Sequence, residues 1–78
     1  MSINVLYFAS LKEAVGRGGD ELNNVESPQS ARQIWAVLNP DLPIPDAVLV
    51  AINLEYVGLD AMVNDGDELA FFPPVTGG

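Results

Sequence analysis

Residues 27–40 read SPQSARQIWAVLNP, and they predict the main helix against which the rest of the chain packs. Ser27-Pro28 is typical of a helix start, with serine as the cap and proline in the first turn. The apolar residues that follow recur at i, i+3, i+4 and i+7 and so share one face; they are Ala31, Ile34, Trp35 and Leu38. Trp35 on this face is expected to anchor the core rather than to bind a ligand. Asn39-Pro40 is expected to end the helix.

On either side of this helix, short β-branched and aromatic runs predict strands. They lie at residues 3–9, 21–25 (a weak edge strand), 48–53 (a central strand), 55–57 and 68–72. A short helix is predicted after the first strand, with Ser10 and Glu13 forming a capping box and an end near Gly16. One main helix on one face of a mixed sheet of about five strands is an α+β architecture. We expect a single domain over residues 1–78, with an extended tail at 73–78.

The composition limits the classes of partner and the compartment. The chain has 78 residues, of which 49% are hydrophobic and 18% charged, and its formal net charge is −8. So few basic residues argue against nucleic acid as a partner, because phosphate contacts need clustered Lys and Arg. The acidity is expected to keep the domain soluble, and a compatible interpretation is that it steers the chain toward basic protein partners. With no basic leader and no long apolar run, we expect a cytoplasmic protein with no membrane partner.

The residue types also limit the chemistry. The chain contains no histidine and no cysteine, which excludes their use as nucleophile, base or zinc ligand. The run NDGDE at 64–68 could suggest a calcium loop, but it lacks the remaining ligands, and a turn is the preferred interpretation. The run GRGG at 16–19 is interpreted as a flexible connector rather than a phosphate cradle. Residues 40–46 are expected to form a proline-rich loop, and residues 58–64 to be irregular. No metal site is predicted.

Alternation along the strands predicts an apolar patch on the outer face of the sheet. Asn4 and Glu68 favour water, so the residues that share their face should also point outward. These residues are Leu6, Phe8 and Phe72, joined by Tyr56. An aromatic patch on a solvent face is typical of a docking surface. The alternative is that a loop covers these side chains.

The stretch FFPPVTGG at 71–78 follows the last strand and predicts an extended, then flexible tail. Pro73-Pro74 disfavours helix and favours an extended segment. Gly77 and Gly78 have no Cβ atoms, so they can thread a narrow channel. A carboxylate on Gly78 would be ionised in the cell and would be a poor electrophile until activated. A frayed terminus without function is the alternative.

Three of these motifs together resemble one family. The runs SLKEAVG at 10–16, NDGDE at 64–68 and FFPPVTGG at 71–78 look like those of the small subunits of molybdopterin synthases. The resemblance covers essentially the whole chain and is weakest at residues 39–47. It implies a ubiquitin-like β-grasp fold.

The resemblance also implies a function as a sulfur carrier. An E1-like adenylating enzyme would use ATP to convert the Gly78 carboxylate to an acyl-adenylate, and a sulfur donor protein would then supply sulfur to give a thiocarboxylate. The tail would insert into a large synthase subunit, in an assembly of two small and two large subunits, and donate its sulfur to the cyclic pyranopterin precursor. The inserted residues would be Pro74, Val75, Thr76 and Gly77. The resemblance implies no permanently bound cofactor in this chain, and the active site would lie on the large subunit.

Three other functions stay open on the sequence. The chain could be a ubiquitin-like protein modifier whose diglycine forms an isopeptide bond with a lysine. It could be the related sulfur carrier of thiamine synthesis, which also ends in diglycine but typically lacks the FFPP lead-in. It could also be an interaction module with an incidental tail.

Overall fold

The computed structural model describes residues 2–23, 28–45 and 47–74. Its elements follow the order β1 (Ser2–Tyr7), α1 (Ala9–Val15), β2 (Gly19–Asn23), β3 (Gln29–Ser30), α2 (Ala31–Leu38), β4 (Leu49–Ile52), β5 (Glu55–Val57), β6 (Met62–Val63) and β7 (Glu68–Phe72). Five strands form one mixed sheet in the order β2-β1-β7-β4-β5, and β3 pairs with β6 in a separate small ladder. The predicted α+β architecture with a mixed sheet of five strands is confirmed.

The strand pairing places β7 at the centre of the sheet. β1 and β7 run parallel, while β2, β4 and β5 join through antiparallel pairs. The strand predicted as central at 48–53 is therefore one position from the middle, between β7 and β5. The predicted edge position of β2 is confirmed. Gly19 in β2 suits its place, because a Cβ atom there would lie 2.6 Å from the Val5 carbonyl oxygen.

The core lies between the inner face of this sheet and α2. Its fully buried side chains alternate along β1 and β7 and line one face of α2; the largest are Trp35, Phe71, Ile3, Ile34, Leu69, Val5, Val50 and Val63. Trp35 contacts Phe71 edge-on, with ring centroids 5.0 Å apart, and its indole Nε1 donates to the Leu42 carbonyl oxygen at 2.7 Å. The prediction that Trp35 anchors the core is confirmed. Its hydrogen bond also attaches the proline-rich loop to the helix.

Both predicted helix starts are wrong, although both helices exist. In α2 the cap is Ser30, whose Oγ accepts from the Gln33 amide while the Gln33 side chain accepts from the Ser30 amide. The helix therefore starts three residues after Pro28. In α1 the cap position belongs to Phe8, and Ser10 lies inside the first turn. The predicted ends are confirmed, since Gly16 caps α1 with φ 88° and Asn39 caps α2.

The stretch at residues 58–64 is more ordered than the sequence indicates. Met62–Val63, in the stretch expected to be irregular, pairs antiparallel with Gln29–Ser30 just before α2.

Within the described residues, no helix has the length and apolar character needed to cross a membrane.

Candidate functional site

The outer face of the sheet carries the apolar patch that alternation predicted. Ile3, Val5 and Tyr7 of β1 are buried, and the residues between them point to the other side. Cross-strand pairs extend this outer face: Leu6 lies beside Ala70, Ala70 beside Ala51, and Ala51 beside Tyr56. The face assignment is therefore confirmed.

Three aromatic rings form the centre of the patch. Phe8 and Phe72 stack with their centroids 4.7 Å apart and their planes 5° from parallel. Tyr56 lies 6.0 Å from Phe72 in a tilted arrangement. Phe8 is 40% exposed and Tyr56 71% exposed, so no loop within the described residues covers them. The arrangement offers a preassembled aromatic surface of the kind enriched in protein interfaces.

A shallow cavity of about 190 Å³ opens between these rings and the β4–β5 turn. Its lining is mostly apolar and consists of Phe8, Ala51, Leu54, Tyr56, Glu68, Ala70 and Phe72. Sequence reasoning missed Leu54, which lies in the turn and is 89% exposed. The signal that could have identified it is its position, because the second residue of a two-residue hairpin turn is usually glycine.

The tail leaves the sheet beside this patch. Phe72 ends β7 and Phe8 precedes α1, and the Phe8 amide donates to the Phe71 carbonyl oxygen at 3.1 Å. Pro73-Pro74 follows directly and is in no regular element, with Pro74 exposed. The other predicted tail residues, Val75, Thr76, Gly77 and Gly78, lie outside the described residues.

A polar network occupies the opposite side of β1. The Tyr7 hydroxyl donates to Asp20 Oδ2 at 2.9 Å and accepts from Asn39 Nδ2 at 3.0 Å. Arg17 Nε donates to Asp20 Oδ2 at 2.7 Å, and Arg17 Nη2 donates to the Leu38 carbonyl oxygen at 3.1 Å. These hydrogen bonds connect the loop at 16–19, which was predicted to be a flexible connector, to β2 and to the end of α2.

Hydrogen bonds and burial in this network shift the pKa values of Tyr7, Arg17 and Asp20. Burial is the main cause that raises the pKa of the Tyr7 phenol above its usual value. The hydrogen bond from Arg17 is the main cause that lowers the pKa of the Asp20 carboxyl. The hydrogen bonds among these groups connect β1, β2 and the end of α2. We therefore assign the network a structural role.

The acidic run at residues 64–68 forms a turn before β7, as predicted. Asp67 Oδ2 accepts from the Asn64 amide at 2.8 Å, and Asp67 Oδ1 accepts from Asn53 Nδ2 at 2.9 Å. Gly66 between them has φ 89°. Among the described residues, no group of three or more His, Cys, Asp or Glu side chains could hold a metal ion.

Comparisons with known proteins cover nearly the whole chain. The model of the ThiS family matches residues 5–78. The molybdopterin synthase sulfur carrier subunit of Escherichia coli strain K12 is 40% identical over 80 residues, which covers 97% of this chain and 99% of the relative. The protein of the same name from Haemophilus influenzae is 36% identical over 80 residues, with the same coverage.

Solved structures share the fold. Small archaeal modifier protein 1 of H. volcanii superposes with a TM-score of 0.73 at 26% identity, covering 95% of this chain and 98% of that chain. A complex of subunits 1 and 2 of the molybdopterin-converting factor from Helicobacter pylori contains a chain that superposes with a TM-score of 0.60 at 20% identity, with both chains fully covered. The expected ubiquitin-like β-grasp fold is confirmed.

Proposed function

Because the chain belongs to the ThiS family, with molybdopterin synthase sulfur carrier subunits as its relatives, we propose that it carries sulfur for molybdenum cofactor biosynthesis. Gly78 is the residue that carries the sulfur. One observation supports this most directly: the Phe8–Phe72 stack lies where β7 leads into the tail, so a single partner can hold the sheet and receive the tail together.

The first half of the cycle activates Gly78. An oxygen of its carboxylate attacks the α-phosphorus of ATP on an adenylating partner, and pyrophosphate leaves. Hydrosulfide released by a sulfur donor protein then attacks the carbonyl carbon. The bond from that carbon to the AMP oxygen breaks, AMP leaves, and loss of the sulfur proton gives the thiocarboxylate. A tail without side chains at its last two positions suits this chemistry, because glycine allows close approach of the partner's groups.

The second half delivers the sulfur to the cyclic pyranopterin precursor. Phe8, Phe72, Tyr56 and Leu6 dock on a large synthase subunit, while the tail from Pro74 onward enters that subunit's active site. The chain has no histidine or cysteine, so the large subunit supplies the acid–base groups. The two-subunit complex from Helicobacter pylori supports a partnership of this type, and we expect two small and two large subunits.

The experiment that tests this function changes the last residue alone. Deleting Gly78, or adding one residue after it, should abolish sulfur transfer to the precursor, because the activated carboxylate would be lost or displaced. The melting temperature should stay nearly unchanged, since the described core ends at β7. Mass spectrometry of the wild-type chain, incubated with ATP, the adenylating enzyme and the sulfur donor, should show one oxygen exchanged for sulfur. Full transfer activity from the truncated chain would contradict the proposal.

Two alternative functions would use the same tail. The likeness to small archaeal modifier protein 1 supports a protein modifier as the second candidate, and the ThiS family match leaves the thiamine-pathway carrier as another. Isopeptide conjugates of this chain with lysines of other proteins would favour the modifier. Sulfur transfer to a thiazole precursor instead of the pyranopterin would favour the thiamine pathway.

A further inference from the structure

The turn between β4 and β5 combines two unfavourable features in one residue. Leu54 is 89% exposed, and its backbone has φ 71°. Positive φ is disfavoured for residues with a Cβ atom, and an exposed leucine leaves its apolar surface in water. The tight β4–β5 turn accounts for the positive φ, but it does not account for a leucine at this position with its side chain in water.

The neighbouring residue shows what the turn itself requires. Asn53 also has positive φ, at 50°, but asparagine tolerates this region. Its side chain is used as well, since Asn53 Oδ1 accepts from the Glu68 amide at 3.0 Å and Asn53 Nδ2 donates to Asp67. A two-residue turn with both φ values positive favours Asn-Gly. Leucine at the second position is therefore the exception.

Leu54 is continuous with the aromatic patch. It lines the same cavity as Phe8, Tyr56 and Phe72, at the end of the patch farther from the tail. One carboxylate lies on the same face, because Glu68 lines the same cavity, and the chain as a whole carries a formal net charge of −8. The turn thus presents an apolar side chain beside an acidic one, which is complementary to an apolar recess bordered by Lys or Arg.

We propose that Leu54 is an anchor residue for the large synthase subunit, inserted into an apolar recess with a basic rim. This inference rests on the proposed function, and it extends the docking surface from the tail exit to the β4–β5 turn. Such a contact would offset the unfavourable backbone and the exposed side chain. It would also set specificity, because only a partner with the matching recess gains from the leucine.

The test compares Leu54→Asn with Val37→Asn in the full chain. Val37 is also an exposed apolar residue, at 57%, but it lies on α2 and does not line the cavity. Isothermal titration calorimetry with the purified large subunit should show the Kd of Leu54→Asn raised about tenfold, as expected for loss of a buried leucine. Val37→Asn should stay within about twofold of wild type.

Thermal unfolding of the isolated chain supplies a second readout. Leu54→Asn should melt at or above the wild-type temperature, because asparagine tolerates positive φ. Leu54→Gly creates the favoured Asn-Gly turn, and it should also fold and bind weakly. Wild-type affinity in both Leu54 variants, or a loss no larger than that of Val37→Asn, would overturn the proposal. So would a loss of affinity confined to the adenylating enzyme, or one explained by self-association through Leu54.

The sulfur assay separates this inference from the proposed function. If the wild-type chain binds the large subunit but transfers no sulfur, the proposed function fails, and the Leu54 comparison is still decided by affinity. If sulfur transfer proceeds and the Leu54 variants bind normally, only the inference fails. If the wild-type chain does not bind the large subunit, both the proposed function and the inference about Leu54 are wrong.

Discussion

At the scale of single residues, Arg17 joins three elements through one guanidinium group. It bonds Asp20 in β2 and the end of α2, and its Cζ atom lies 5.6 Å from the centroid of the Tyr7 ring in β1. The Arg17 side chain is 38% exposed and that of Asp20 is 22% exposed, so water screens the pair only in part. The network is therefore expected to contribute to stability, and its carboxylate makes that contribution depend on pH.

We predict that Asp20→Asn lowers the free energy of unfolding by about 1–2 kcal/mol at pH 7, the range for loss of a charge-assisted hydrogen bond that is partly screened. The amide oxygen can still accept from Tyr7, so the fold should be retained. Because the pKa of Asp20 is lower in the folded chain than in the unfolded chain, its contribution is complete above the unfolded value of about 3.9 and is lost as pH falls through the folded value. The difference between variant and wild type should therefore shrink at low pH.

Urea unfolding between pH 7 and pH 2 measures this difference. Asp60→Asn is the matched control, since Asp60 also pairs with an arginine, but the side chains of Asp60 and Arg32 are 82% and 52% exposed. Its effect should stay below about 0.5 kcal/mol. A difference for Asp20→Asn that stays constant down to pH 2 would show that the carboxylate charge is not what stabilises the network.

At the scale of elements, the first turn of α1 departs from local preferences in two places. Its cap position holds Phe8, whose side chain cannot accept a hydrogen bond, and Ala9 after it has φ 51°. Caps are usually Ser, Thr, Asp or Asn. The ring of Phe8 stacks on Phe72 instead. The residue at this position therefore stabilises the aromatic patch rather than the start of the helix. Departures of this kind are typical of functional sites.

We predict that Phe8→Asp weakens binding to the large subunit while the isolated chain stays folded. Aspartate is a favourable cap residue, so it should offset part of the lost packing, but it places a charge where interface cores are depleted of charge. Phe72→Asp should weaken binding as well, and it should cost more stability because Phe72 lies within β7 and is only partly exposed. Surface plasmon resonance and thermal unfolding measure the two effects. Unfolding of Phe8→Asp would show that its ring belongs to the core.

At the scale of the whole molecule, the strand order places the end of β7 beside the start of α1. β7 is central and parallel to β1, so the carboxyl ends of both strands lie at the same edge of the sheet. The chain that enters α1 and the chain that leaves β7 are therefore neighbours. The formal net charge of the chain is −8, and two of the three basic residues, Arg17 and Arg32, already pair with carboxylates.

We predict that this acidity speeds association with a basic adenylating partner. The association rate should be high at low salt and fall as the Debye length shortens to about 8 Å at physiological ionic strength. The dissociation rate should change much less, because the aromatic patch and the tail residues Val75 and Thr76 carry no side-chain charge. Stopped-flow mixing across a salt series separates the two rates. An association rate that does not change with salt would leave solubility as the role of the acidity.

The sequence by itself determined the features that depend on periodicity along the chain. Patterns among residues a few positions apart predict the apolar face of α2, the inner and outer faces of β1 and β7, and the turn at Gly66. Even the aromatic patch was predicted, because alternation fixes which side chains share a face. The resemblance to molybdopterin synthase small subunits, which includes the FFPPVTGG run, identified the family.

Only the tertiary structure decided the features that depend on residues far apart in the chain. Phe8 takes the cap of α1 because it stacks on Phe72 and its amide donates to Phe71, contacts that no local pattern contains. The β3–β6 ladder forms because the chain brings Met62 beside Ser30, and this pairing moves the start of α2 past Pro28. Leu54 joins the patch only because β4 and β7 are neighbours in the sheet. Local preferences differ by about 1 kcal/mol or less between ordinary residues, so packing and hydrogen bonds made across the fold overrule them.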